Sequence, residues 1–94
     1  MRSNQIHLID DDDDLRFTIA LSLRDAGFEV VEFASADDAL PRVVTERPGA
    51  VFLDYRIEGM TAEEFVLKVH ALPDAPPIVL LTGTHNVADL AKQM

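Results

Sequence analysis

The sequence predicts an α/β fold, an open parallel sheet with helices on both faces. Three observations carry this. Apolar strand-like runs alternate with segments of helical period along the whole chain, in the order β-α-β-α-β-α-β-α. Two of the runs, Ala50–Leu53 and Ile78–Leu81, are unbroken apolar stretches, and the first has the look of a central parallel strand buried on both faces. Between runs stand the residues that start and stop helices: acids and hydroxyls before them, Gly or Pro after.

The first strand is expected over Ile6–Asp10 and the first helix over Asp14–Ala26, with Leu15, Ile19, Leu23 and Ala26 on one face. Gly27 stops that helix from the C′ position. Glu29–Phe33 is a second strand, and its charges place it at the sheet edge. Ser35 offers an N-cap, with Asp38 three residues on, to a helix carrying Ala39, Leu40, Val43 and Val44. Pro41 falls inside this helix and should bend it. Ala50–Leu53 is the central strand, followed at once by Asp54. Thr61 and Glu64 have capping-box spacing ahead of a third helix that buries Phe65, Val66, Val69 and Leu72. Pro73, Pro76 and Pro77 mark its exit. Ile78–Leu81 is a fourth, fully apolar strand ending at Thr82-Gly83. A last helix begins near His85, with Val87, Leu90, Ala91 and Met94 at helical spacing. Crossovers between parallel strands should be right-handed.

Ninety-four residues make one small domain, and 48% hydrophobic residues suffice for its core. Without cysteine there is no disulfide, thiolate zinc site or cysteine nucleophile. No apolar run approaches the roughly 20 residues that span a bilayer, and the first residues do not form a signal peptide, so a cytoplasmic location is expected. The net charge of −9, from 17 acidic and 8 basic residues, disfavours direct contact with nucleic acid and is compatible with a bound cation.

In sheets of this kind ligands bind beyond the carboxyl ends of the strands. Asp10, Asp54 and Thr82 each end a predicted strand. If the first and third strands are neighbours, Asp10, Asp11 and Asp54 converge. Three crowded carboxylates call for a proton or a cation between them, and an all-oxygen donor set suits Mg²⁺. A carboxylate is also a nucleophile toward phosphorus, and Asp54, the single acid closing the most apolar strand, is the candidate. The Thr82 hydroxyl could donate to the transferred group. Asp12, Asp13 and Asp14 read as helix-start acids. The acidic run is not an EF-hand loop, since Gly and Glu are missing at the sixth and twelfth positions. His7, His70 and His85 show no ligand spacing and read as strand, helix-surface and loop residues.

Leu8-Ile9-Asp10-Asp11 with Leu15-Arg16, then Val51-Phe52-Leu53-Asp54 with Gly59-Met60, then Ile78-Val79-Leu80-Leu81-Thr82-Gly83, at these separations, resemble the CheY-like receiver domains of two-component response regulators. The resemblance covers essentially the whole chain. It implies a flavodoxin-like strand order of 2-1-3-4 and a receiver domain over residues 1–94 that ends in its fourth helix. It implies Asp54 as phosphoacceptor, and Mg²⁺ held by Asp10, Asp11, Asp54 and the backbone carbonyl of Arg56. It implies Thr82 as the phosphoryl contact and switch, and a histidine kinase or phosphotransfer protein as donor. Arg56 and Thr84 flank this site and could tune dephosphorylation.

The chain departs from the family pattern in three ways. The lysine of the fifth strand, that strand itself and the fifth helix are missing from these 94 residues, so a fragment is expected, and self-association through an uncovered sheet face or edge with it. Glu58 and Thr61-Ala62 stand where the family often has Pro and Asp-Gly. Pro41 is unusual in the second helix. Two other functions compete with the non-enzymatic phosphoacceptor. One is a receiver-like module that binds partners without phosphorylation. The other is a Mg²⁺-dependent phosphohydrolase with an aspartate nucleophile, disfavoured because Arg56 stands where its general acid would be.

Overall fold

The computed structural model describes residues 2–55 and 59–81. They form β1 (Arg2–Ile9), α1 (Asp13–Asp25), β2 (Glu29–Phe33), α2 (Ala36–Glu46), β3 (Pro48–Asp54), α3 (Ala62–His70) and β4 (Ile78–Leu81). The four strands make one sheet in the order β2-β1-β3-β4, with the pairs parallel. This is the expected fold and strand order. The helix expected near His85 lies outside the described residues.

The strand period of two sorts β1 and β3 between two cores. Ile6, Leu8, Ala50 and Phe52 face α1, where they pack with Ile19, Ala20 and Leu23. Ile9, Val51 and Leu53 face the other way, against Ala36, Ala39 and Val43 of α2 and Ala62, Phe65 and Val69 of α3. Helices therefore cover both faces. Phe52 and Phe65 are the largest fully buried side chains, one in each core.

The caps follow the local sequence. Asp12, Ser35 and Thr61 each accept, through a side-chain oxygen, the N–H three residues on, from Leu15, Asp38 and Glu64. Asp13 and Asp14 occupy the first turn of α1, where the helix dipole favours acids. Gly27 follows α1 with φ +100°, a conformation glycine takes without a Cβ clash. Pro41 stands inside α2, on its exposed side.

Several expectations need correction, among them that of Leu72, which lies beyond the end of α3 and is half-buried. β1 begins at Arg2 rather than Ile6 and ends at Ile9 rather than Asp10. The polar start is accommodated because Asn4 donates to the Gly27 carbonyl (3.2 Å) and Gln5 to Glu46 (3.0 Å). α1 runs one residue earlier than expected at both ends, from Asp13, because Asp12 supplies the cap. The buried stripe of α1 is Ile19, Ala20 and Leu23, whereas Leu15 and Ala26 are exposed; in α2, Val44 is exposed beside buried Val43. β4 is apolar but not buried throughout: Leu81 is buried and Leu80 is 43% exposed, since β4 has a strand partner on one side only among the described residues. Leu80, Tyr55, Ala62, Val66 and Leu67 line an apolar groove of about 420 Å³ beside α3.

Candidate metal centre

Parallel pairing fixes the geometry of the site. Ile9 of β1 lies opposite Leu53 of β3, so the next residues, Asp10 and Asp54, emerge side by side at the carboxyl end of the sheet. Asp54 in turn pairs with Leu81, the last described residue before Thr82. Asp10, Asp11 and Asp54 each bring a carboxylate oxygen to a place where all three lie within 4.8 Å of one another. The convergence expected from the strand ends is therefore present. Thr82 and Arg56 lie outside the described residues.

The three acids differ in burial. Asp10 is buried, Asp54 half-buried and Asp11 exposed. Nearly every polar atom of Asp10 is committed. Its N–H donates to the Phe33 carbonyl of β2 (3.1 Å). Its carbonyl accepts from Arg16 Nη1 (2.7 Å), and its Oδ1 accepts from the Asp12 N–H (2.9 Å). Oδ2 alone is buried with no hydrogen-bond donor to accept from among the described residues.

The electrostatics are unfavourable as they stand. At 4.8 Å, with an effective dielectric of about 20, two unit negative charges repel by about 3–4 kcal/mol. Burial pushes the Asp10 carboxyl up to about 6, with the nearby acids Asp54 and Asp11 adding to the rise and the Asp12 N–H opposing it. A proton or a cation relieves this. The buried, undonated Oδ2 of Asp10, on an acid that converges with two further carboxylates, fits a hard oxygen-seeking cation such as Mg²⁺, which keeps several waters and needs few protein ligands.

One further residue at the site stands out in the sequence only as part of the Leu15-Arg16 pair. Arg16 reaches back from α1 to the Asp10 carbonyl and also binds Asp13 (2.6 Å) and Glu32 (3.4 Å). Its spacing from Asp13 is that of a helical ion pair; the bond to a strand-end carbonyl has no local signature. Gly59 is approached by Asp37 of α2: a Cβ on Gly59, whose φ is +80°, would stand 2.6 Å from Asp37 Oδ2.

Comparisons with known proteins bear on the family and the fold. The chain is 41% identical over 82 residues to the C4-dicarboxylate transport transcriptional regulatory protein DctD of Rhizobium meliloti, covering 87% of this chain and 18% of that protein. It is 34% identical over 83 residues to the transcriptional regulatory protein AfsQ1 of Streptomyces coelicolor, covering 88% of this chain and 36% of that one. It thus spans only a minor part of the length of these relatives. Among solved structures, the chemotaxis response regulator CheY4 of Vibrio cholerae matches with a TM-score of 0.85 at 22% identity, over 99% of this chain and 96% of that one. A CheY-like receiver domain protein of Methanospirillum hungatei matches at 0.82 and 18%, over 96% and 89%. At those identities the two structures speak for the fold. Residues 6–94 match the family described as the response regulator receiver domain, and the chain belongs to that family, the phosphoacceptor signalling domains of two-component systems.

Proposed function

We propose that Asp54 is the phosphoacceptor, and that Asp10, Asp11 and Asp54, with the Arg56 carbonyl, hold Mg²⁺ beside it. The observation that carries this reading is the meeting of three carboxylates at the ends of two adjacent parallel strands, one oxygen of the most buried acid having no donor. Bound there, Mg²⁺ would neutralise charge on the phosphoryl oxygens. A carboxylate oxygen of Asp54 forms the new P–O bond. The bond from phosphorus to the donor imidazole breaks, and its electron pair stays on that nitrogen. The donor is a histidine kinase or phosphotransfer protein. Thr82, next after the residue that pairs with Asp54, supplies a hydroxyl to the phosphoryl group, and its response changes the surrounding surface. The domain works in the cytoplasm as a switch rather than as an enzyme. No helix among the described residues is long and apolar enough to cross a membrane.

The test is incubation with Mg²⁺ and acetyl phosphate, read by intact mass. One added phosphoryl group is expected, lost on Asp54→Asn or on chelation. Labelling that survives Asp54→Asn would place the acceptor elsewhere. Absence of labelling alongside intact binding to a kinase would favour a phosphorylation-independent module, and continuous release of phosphate from many simple esters a hydrolase.

A further inference from the structure

We propose that Arg16 is a positioning residue for the acid cluster: its guanidinium, anchored on Glu32, holds the turn between β1 and α1 in the shape that aims Asp10 and Asp11 at Asp54. This rests on the reading of that cluster as a Mg²⁺ site.

The argument starts from where the guanidinium goes. Arg16 is on α1, yet three elements share its side chain. Nη1 donates to the Asp10 carbonyl at 2.7 Å and Nη2 to Asp13 at 2.6 Å, while Nε, which makes no hydrogen bond among the described residues, is ion-paired with Glu32 on β2 at 3.4 Å. Only 15% of the side chain is exposed, so it is held rather than waving in solvent. Arg24, two turns along α1, contacts the other Glu32 oxygen (3.2 Å) and the Val30 carbonyl (3.0 Å). Glu32 thus lies between two arginines, hydrogen-bonded to Arg24 and ion-paired with Arg16, and α1 faces the edge strand's acid at two heights.

The turn itself has few other restraints. Asp11 is exposed, and after Asp10 the chain is governed by the Asp12 N–H bond to Asp10 Oδ1 and by the Asp12 cap on Leu15. The Asp10 carbonyl is the pivot of the peptide leading to Asp11. Rotation of that peptide moves Asp11 and the Asp12 N–H together, and with them the direction of the Asp10 carboxylate. A planar fork that binds the carbonyl and an acid at once prevents this rotation in a way a point charge does not. Partners that orient metal ligands in this way are commonly worth ten- to a hundredfold in metal affinity.

A purely electrostatic role predicts the opposite sign. A guanidinium beside an acid cluster competes with a bound cation, so its removal would tighten binding. The experiment is Mg²⁺ titration by calorimetry at constant ionic strength on the whole chain, with amide exchange of the Asp12 N–H as second readout. Arg16→Ala is expected to weaken Mg²⁺ binding about tenfold or more and to speed exchange at Asp12. Arg16→Lys, which keeps the charge and loses the fork, should recover only part of the affinity. Glu32→Gln should weaken binding several-fold, and carries the test if Arg16→Ala does not fold. Unchanged or tighter binding in Arg16→Ala, or in Glu32→Gln where that variant carries the test, overturns the inference, as does full recovery by lysine. Wild-type protein that binds no Mg²⁺ would sink the cluster reading as well, which separates the two failures.

Discussion

Replacing Asp10 by Asn should stabilise the metal-free protein at alkaline pH and have a much smaller effect near pH 4. Asn keeps the size of the side chain and an oxygen for the Asp12 N–H, so the packing around a fully buried position is preserved. What is lost is a charge. The Asp10 carboxyl is raised from an ordinary 3.8 to about 6 in the folded chain. The folded state therefore holds this proton more tightly than the unfolded one. Below the unfolded value both states are protonated and nothing is lost. As pH rises from there to about 6 the unfolded chain releases its proton first, and folding stability falls. Above about 6 the loss is complete. A displacement of about two pH units corresponds to about 3 kcal/mol at most. Asp11 is exposed and opens one side of the cluster to water, so about 1–2 kcal/mol is the better expectation.

Thermal or urea unfolding in chelator, from about pH 4 to about pH 8, measures this directly. For a domain of this length the variant should melt roughly 5–10 °C higher at the alkaline end, and the two curves should converge at the acid end. Mg²⁺ should raise the wild type through linkage to binding and raise the variant less. An advantage of equal size at both ends would mean that carboxylate crowding is not its source. A variant less stable than wild type at about pH 8 would refute the electrostatic account of the site.

Two further substitutions probe the scaffold. Gly59→Ala puts a Cβ where φ is +80° and 2.6 Å from Asp37 Oδ2; the carboxylate can swing away but the backbone strain of about 1–2 kcal/mol remains, so chemical denaturation should show that loss undiminished in the Gly59→Ala, Asp37→Ala double variant. Phe65→Ala empties a fully buried site between α3 and the sheet, and a cost of about 3–5 kcal/mol should leave the chain largely unfolded by circular dichroism at ambient temperature.

What could be read from the sequence was whatever depends on neighbours along the chain. Asp12, Ser35 and Thr61 cap helices through an N–H three residues away, and such spacings are visible in any sequence. Helix period was equally visible but helix phase was not. Leu15 and Val44 satisfy the apolar spacing yet are exposed, because which side of an apolar stripe meets the sheet is set by the crossing of helix over strands. β1 was underestimated at its start because Asn4 and Gln5 find their partners at Gly27 and Glu46, far away in the chain. The same reason hid Arg16, whose decisive acceptor is a backbone carbonyl with no sequence signature.

Asp10 and Asp54 were legible because each ends an apolar run, and the fold leaves them no means of moving apart along the sheet. Slipping β1 by one residue against β3 would separate them, but would also carry Leu8 from the α1 side to the side of α2 and α3, and Ile9 the reverse way. Both residues are fully buried, so the slip would expose or misplace two large side chains at once, at about 1.5–3 kcal/mol for each one left exposed. That is comparable to or greater than the electrostatic relief it would bring. Repulsion at the acid cluster therefore cannot be relaxed by the strands. It can be relaxed by local rotation of the turn after Asp10, which Arg16 opposes, or by a proton or a cation, which changes nothing else in the fold. Rigid strand ends joined to a pinned turn thus convert a destabilising cluster into a site whose cheapest response is to bind.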